Sequence, residues 1–134
     1  NHHTQGVLCM IKTTNALWTG AKDGELKICD TTVYPPKLVK VLTAHQSAVT
    51  CMVHLGTKVW TGSLDKSICV WNVANYQLLG CIADHHGYLM QLAPILKVDS
   101  WRVWSVANDK TVKIWEVEGF YQTMCELDEP KALR

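Results

Sequence analysis

One short pattern occurs three times along the chain and constrains the fold more than any other feature. It consists of a tryptophan, a threonine or serine directly after it, and an aspartate four positions further on. The tryptophans are 42 and 44 residues apart, at Trp18, Trp60 and Trp104. The aspartates keep the same intervals, at Asp23, Asp65 and Asp109. Because self-similarity at periods of about 20 to 50 residues indicates stacked copies of one supersecondary unit, three such units are predicted.

Each unit has the sequence pattern of β-structure. Short apolar segments such as Val49–Val53 precede the tryptophans, and segments that alternate with period two follow the second and third aspartates, at Lys66–Trp71 and Lys110–Trp115. The Asp-Gly and Asp-Lys pairs between them predict tight hairpin turns. We therefore predict an all-β chain of three four-stranded antiparallel β-propeller blades. Their approximate bounds are residues 3–44, 45–84 and 85–128.

The third unit differs from the others by a short insertion. Four extra residues lie between its first and second strands, around Pro94 to Asp99. Because loops vary more than the strands that they join, these residues are expected in a loop.

The charge and hydropathy of the chain argue against two classes of partner. The formal net charge is +1 and no basic stripe occurs, whereas nucleic-acid binding usually requires a clear basic excess. No apolar run approaches the roughly 18 residues of a membrane-spanning helix. Neither nucleic-acid binding nor direct membrane insertion is therefore expected.

The cysteines indicate a reducing compartment. There are six cysteines without any Cys-x-x-Cys pair, and the chain has no signal-like apolar stretch at its start. We expect free thiols in an intracellular, cytoplasmic protein. His2, His54 and His86 lack the spacing of metal ligands, so neither a metal nor a cofactor is predicted.

The repeats resemble those of the WD40 family. In that family a histidine precedes the first strand, a serine or threonine lies in the second, an aspartate in the following turn, and a tryptophan ends the third. The second repeat matches at His45, Thr61, Asp65 and Trp71. The third matches at His85, Ser105, Asp109 and Trp115. The first has His3, Thr19 and Asp23, but Cys29 where tryptophan is expected.

These residue types can form one directed chain of hydrogen bonds. Tryptophan only donates, aspartate only accepts, and hydroxyls and neutral histidine do both. Cysteine is a poor donor, so Cys29 predicts a weaker network in the first blade. The third repeat also has the residue types of a hydrolase triad, but the trio recurs in every repeat. A structural role is therefore favoured, and no catalytic residue or enzymatic activity is predicted for this chain.

The resemblance implies a protein–protein interaction scaffold, because the face of WD40 propellers near the aspartate turns often receives peptides. By position, six residues are candidates for this partner-binding face: Gln5, Lys22, Ser47, Leu64, Gly87 and Asn108. Tyr88, Phe120 and Tyr121 are candidate aromatic anchors because aromatic residues dominate interface energetics.

A second interpretation places the blades in a larger regulator. The Val/Leu-Trp-Thr-Gly strands look like those of C-terminal propellers on DENN-type exchange factors, Rho exchange factors and leucine-rich-repeat kinases. The alternative function is therefore a regulatory or targeting propeller in small-GTPase signalling or membrane traffic.

The number of blades raises the question of ring closure. Closed propellers typically have about four to eight blades. The predicted three are expected either to join missing blades of a longer parent chain or to form half of a homodimeric ring with a second copy. The parent chain is the favoured source.

Overall fold

The computed structural model describes residues 3–97, 100–116 and 123–126, and these residues form three blades. Blade 1 contains β1 (Val7–Lys12), β2 (Ala16–Ala21), β3 (Glu25–Asp30) and β4 (Lys37–Thr43). Blade 2 contains β5 (Val49–Leu55), β6 (Lys58–Ser63), β7 (Ile68–Asn72) and β8 (Leu78–Ile82). Blade 3 contains β9 (Leu89–Lys97), β10 (Ser100–Ala107), β11 (Val112–Glu116) and β12 (Thr123–Glu126).

Each blade is a meander in which every strand pairs antiparallel with the next one in sequence. This topology confirms the all-β prediction of three four-stranded antiparallel sheets. The two middle strands of blades 1 and 2 are largely buried, whereas β4 and β8 are mostly exposed. None of the described residues belongs to a helix that could span a membrane.

The core lies between the blades because successive side chains of a strand point to opposite faces of its sheet. Trp18 and Ile28 of blade 1 pack against Val49, Val59 and other residues of blade 2. A second cluster joins blade 2 to blade 3. Trp60 and Trp18 are both fully buried, which explains why tryptophan marks the repeat.

Two cysteines in these interfaces act as small apolar residues. Burial raises the pKa of Cys9 to about 12, and the nearby Cys51 adds to that shift. Burial raises the pKa of Cys51 itself to about 11. Both thiols therefore stay protonated near neutral pH.

The insertion in the third repeat lengthens two strands. β9 has 9 residues and β10 has 8, and Lys97 pairs with Ser100 at the end of their ladder. The described part of the insertion thus continues the hairpin instead of forming an irregular loop. Residues 98 and 99 lie outside the described residues.

The expectation of free thiols is wrong for one pair. Cys69 and Cys81 are direct partners on β7 and β8, with their Cα atoms 4.2 Å apart, and they form a disulfide. Sequence spacing could not reveal this pair because the pairing depends on the register of two strands. Cys9, Cys29 and Cys51 are free thiols.

Candidate binding face and its polar networks

Blade 2 contains a continuous hydrogen-bond chain from its third strand to the loop before its first. The indole N–H of Trp71 donates to Thr61 Oγ1 at 3.1 Å, and Thr61 Oγ1 lies 2.8 Å from His45 Nε2. His45 Nδ1 lies 3.0 Å from Asp65 Oδ2. If Nδ1–H donates to the carboxylate, Nε2 must accept from the hydroxyl, so the neighbours fix the tautomer.

Blade 3 repeats this chain. The indole N–H of Trp115 donates to Ser105 Oγ at 2.9 Å, and Ser105 Oγ lies 2.7 Å from His85 Nε2. His85 Nδ1 lies 3.1 Å from Asp109 Oδ2. Ser105 is fully buried and already contacts an indole and an imidazole. This arrangement is that of a structural hydroxyl, as in blade 2.

Blade 1 has a shorter network. His3 Nε2 lies 2.8 Å from Thr19 Oγ1, but His3 Nδ1 is 3.8 Å from Asp23 Oδ2. That Nδ1 atom is buried without a hydrogen-bond partner. Cys29 supplies no indole donor to Thr19, whose hydroxyl keeps a contact with the carbonyl of Lys27 at 3.3 Å, as Thr61 does with the carbonyl of Cys69 at 3.4 Å. The network is thus looser at both ends than in blades 2 and 3.

Each aspartate in the complete networks also accepts from a hydroxyl that sequence reasoning missed. Ser67 donates to Asp65 Oδ1 through Oγ at 2.5 Å and through its backbone N–H at 2.9 Å. Thr111 makes the same two bonds to Asp109, at 2.6 and 2.9 Å. The signal was a serine or threonine two residues after the aspartate, a spacing typical of side-chain-capped turns. Blade 1 has Glu25 there.

The environment holds the buried histidines neutral and the aspartates charged. Burial lowers the pKa of His45 and of His85, although a carboxylate opposes the shift in each case. Burial alone would raise the pKa of Asp65, but hydrogen bonds from Ser67 and Gln46 lower it overall. The networks of blades 2 and 3 therefore each pair a neutral imidazole with a carboxylate near neutral pH.

The networks end at one edge of the sheets, which we call the turn face. It consists of the β2–β3, β6–β7 and β10–β11 turns together with the segments that precede β1, β5 and β9. In blade 2 the backbone N–H of Gln46 donates to Asp65 at 3.0 Å, and in blade 3 that of His86 donates to Asp109 at 2.8 Å. The carboxylates therefore fasten the loops to the turns.

In blades 1 and 2, backbone hydrogen bonds bring the predicted binding residues close to one another in pairs. Lys22 N donates to the carbonyl of Gly6, next to Gln5, at 3.0 Å. Leu64 N donates to the carbonyl of Ala48, next to Ser47, at 2.9 Å. Each turn thus lies beside the loop of its own blade. Gln5, Lys22 and Leu64 are exposed, and Ser47 is half-buried.

The pair in blade 3 is arranged differently. Asn108 is exposed, and its Oδ1 accepts from the backbone N–H of Tyr88 at 2.9 Å. Gly87 is buried, and a Cβ there would lie 2.1 Å from Asn108 Oδ1. Gly87 therefore shapes the loop and offers no exposed contact, which differs from its placement on the predicted face. Tyr88, at 41% exposure, is the accessible neighbour. The other two candidate anchors, Phe120 and Tyr121, lie outside the described residues.

The turns also display lysines. Lys66 and Lys110 are exposed and have φ angles of 74° and 70°. The corresponding residue of blade 1 is Gly24, with a φ of 84°. A Cβ at Gly24 would lie 2.3 Å from the carbonyl oxygen of His45, so this turn contacts blade 2 too closely for a side chain. Among the described residues, no group of three or more potential ligands forms a metal site.

Comparison with known proteins extends the resemblance. The family profile described as "WD domain, G-beta repeat" matches residues 36–72. A search of curated proteins finds no match. The computationally designed Ika4 protein is 27% identical, with a TM-score of 0.81 over 94% of this chain and 74% of that one.

Natural propellers share the fold at lower identity. The RRP9 WD40 repeats and U3-55K are each 22% identical to this chain, with TM-scores of 0.84 and 0.85. Both matches cover 96% of this chain, which spans about two fifths of each structure, 40% and 41%. Together with the repeat-spaced networks, the profile match over residues 36–72 and these structures show that the described blades have the β-propeller fold of WD40 repeats.

Proposed function

We propose that the turn face is a docking site for an extended peptide segment of a partner protein. The observation that carries this proposal is the construction of the face. In blades 2 and 3, a buried network of histidine, hydroxyl and aspartate fixes each loop against its turn. Because the loops are already fixed, the protein loses less conformational entropy when a partner binds.

The exposed chemistry of the face favours a partner with both acidic and apolar side chains. Lys22, Lys66 and Lys110 are exposed. The network carboxylates point inward and keep only 13%, 16% and 9% of their side-chain surface exposed. Leu64 and Tyr88 add apolar surface at 40% and 41% exposure. Lysine would steer and orient an acidic residue, while the apolar pair would supply contact area.

The proposal can be tested with two matched charge reversals. Peptides would be selected from a displayed random library on the immobilised chain, and their affinities would then be measured by calorimetry. K22E should weaken binding at least several-fold, whereas K12E should leave it unchanged. Lys12 is also exposed, but it lies at the opposite end of β1. Equal effects of the two variants would refute docking at the turn face.

We further propose that the module acts within a larger scaffold in the cytoplasm. The free thiols Cys9, Cys29 and Cys51 support that location, whereas the Cys69–Cys81 disulfide argues against it, because disulfides are rare in reducing compartments. The narrower alternative is a targeting propeller of an exchange factor or kinase. It requires a catalytic domain in the same gene product, which sequencing of the full transcript would reveal or exclude.

A further inference from the structure

The interface between blades 1 and 2 contains a small pocket, which we call the socket, for the first residue of the next blade. Val49, the first residue of β5, lies against Gly20 and Cys9 of blade 1. A Cβ at Gly20 would lie 2.7 Å from Cγ1 of Val49 and 3.0 Å from Sγ of Cys9. Carbon atoms pack at about 3.5 to 4.0 Å, so the socket accepts a branched residue only because position 20 is glycine.

The second interface uses the same socket. Leu89, the first residue of β9, lies against Gly62 and Cys51 of blade 2. A Cβ at Gly62 would lie 2.6 Å from Sγ of Cys51 and 3.0 Å from Cβ of Leu89. In both blades the glycine and the cysteine are partners across the first two strands. Each interface therefore combines a glycine and a cysteine of one blade with a large apolar residue of the next blade.

Blade 3 has a different residue at this position. Val106 lies two residues after Trp104, as Gly62 lies two residues after Trp60, and it pairs with Gln91 instead of a cysteine. Side chains two apart on a strand share a face, so Val106 lies on the same flank as Trp104. Blade 3 therefore has a valine side chain where blades 1 and 2 have only a glycine to receive the branched residue of the next blade.

The rest of this flank keeps the character of an interface between blades. Trp104, Val112 and Ile114 form an apolar cluster, at the positions that in blade 2 contact blade 3. The polar contact next to the socket is also replaced. In blade 2 the hydroxyl of Thr50 donates to the carbonyl of Leu89 at 2.6 Å, whereas the corresponding residue of blade 3 is Met90, which is 55% exposed and has no side-chain donor.

We infer that this flank takes a neighbouring β-propeller blade whose first strand begins with a small residue, best glycine, and that it does not take blade 1 of a second copy. Continuity with the two interfaces of the same chain identifies the occupant as a blade. The size limit follows from Val106. A second copy would present Val7, which holds the position of Val49 and Leu89 and would meet the side chain of Val106.

The test changes the incoming residue and follows the mass of the whole chain by light scattering over a range of concentrations. The unmodified protein should not form a closed head-to-tail dimer. V7G supplies a blade that begins with glycine and should shift the mass to that of a dimer. V7L is the matched control and should stay monomeric. Val7 is 53% exposed, so neither substitution disturbs the internal packing.

A second variant makes the reciprocal change, in blade 3 instead of blade 1. V106G should also dimerise while Val7 is retained, because glycine restores the arrangement of the two internal interfaces. Circular dichroism establishes that each variant is folded, and V7G alone carries the test if V106G does not fold. A dimer of the unmodified chain, or monomers of folded V7G and V106G, would overturn the inference.

Discussion

The hydroxyl in the second strand joins the tryptophan and the histidine of each complete network. Thr61 lies within hydrogen-bonding distance of the indole of Trp71 and the imidazole of His45, and Ser105 does the same in blade 3. Because these groups are buried, removal of the hydroxyl would leave two polar groups without partners. An unsatisfied buried group costs about 1 to 3 kcal/mol, so the hydroxyl has a large effect for its size.

Because the network of blade 2 is complete and that of blade 1 is not, the same threonine-to-valine substitution should affect the free energy of unfolding differently in the two blades. T61V keeps the shape of the side chain but removes the hydroxyl, and it should lower the free energy of unfolding by about 2 kcal/mol. T19V should have a smaller effect, since blade 1 lacks the indole donor and His3 Nδ1 is 3.8 Å from Asp23. Urea unfolding of both variants checks this order. A larger loss in T19V would contradict the assigned network.

The neutral histidines predict a pH dependence of stability. Burial lowers the pKa of His45 and His85 from an ordinary value of 6.5. The unfolded chain therefore takes up these protons at higher pH than the folded chain. The stabilisation is complete above about pH 6.5 and is lost as the pH falls through the lower folded pKa.

Urea midpoints between pH 8 and about pH 5 measure this dependence. The midpoint should fall on acidification, and a double variant H45N/H85N should show a flatter profile. Stability that rises as the pH falls through this range would show that the imidazoles are protonated in the folded protein.

Among the elements, the second strands illustrate what sequence can and cannot predict. Periodicity located Trp18, Trp60 and Trp104, and the structure buries the first two between blades. The change from Gly62 to Val106 is equally visible in the sequence, but its meaning depends on which residue of the next blade lies opposite. That information is contained in the packing of two sheets and not in a single repeat.

The fold was predictable because it depends on local patterns, and the exceptions depend on register or on contacts between blades. The His-hydroxyl-Asp spacing located the networks, whereas the Cys69–Cys81 pair required the alignment of β7 with β8. Gly87 was predicted on the binding face from its position alone, but the amide of Asn108 covers it. The sequence therefore predicts which residues form the networks of blades 2 and 3 better than it predicts which residues of the binding face are exposed.

The sockets between blades predict which glycines are essential. G62A should lower the free energy of unfolding by about 1 to 3 kcal/mol, because its methyl group overpacks the contact with Cys51 and Leu89. G6A is the matched control, since a Cβ at Gly6 would meet only the side chain of Lys22, at 3.7 Å. Thermal unfolding of both proteins would show the difference. Equal stability of the two variants would mean that the interface is looser than described.

At the level of the whole molecule, the two ends of the sheets have different roles. The turn face combines the fixed loops of blades 2 and 3 with exposed Lys22 and Leu64, whereas the opposite end contains the β1–β2, β3–β4, β5–β6 and β7–β8 turns. The flank of blade 3, with Val106 and Trp104, provides a further surface that is suited to another blade. Binding of a peptide and assembly with a neighbour would therefore use separate surfaces.

Hydrogen–deuterium exchange of the chain with and without a library-selected peptide tests the central claim most directly. Docking at the turn face predicts that the peptide slows exchange in residues 4–6, 22–24, 46–48, 64–67 and 86–88. Residues 13–15, 56–57 and 74–77, at the opposite end, should exchange at unchanged rates. Protection confined to the opposite end would contradict the account and would place the binding site on the other face of the blades.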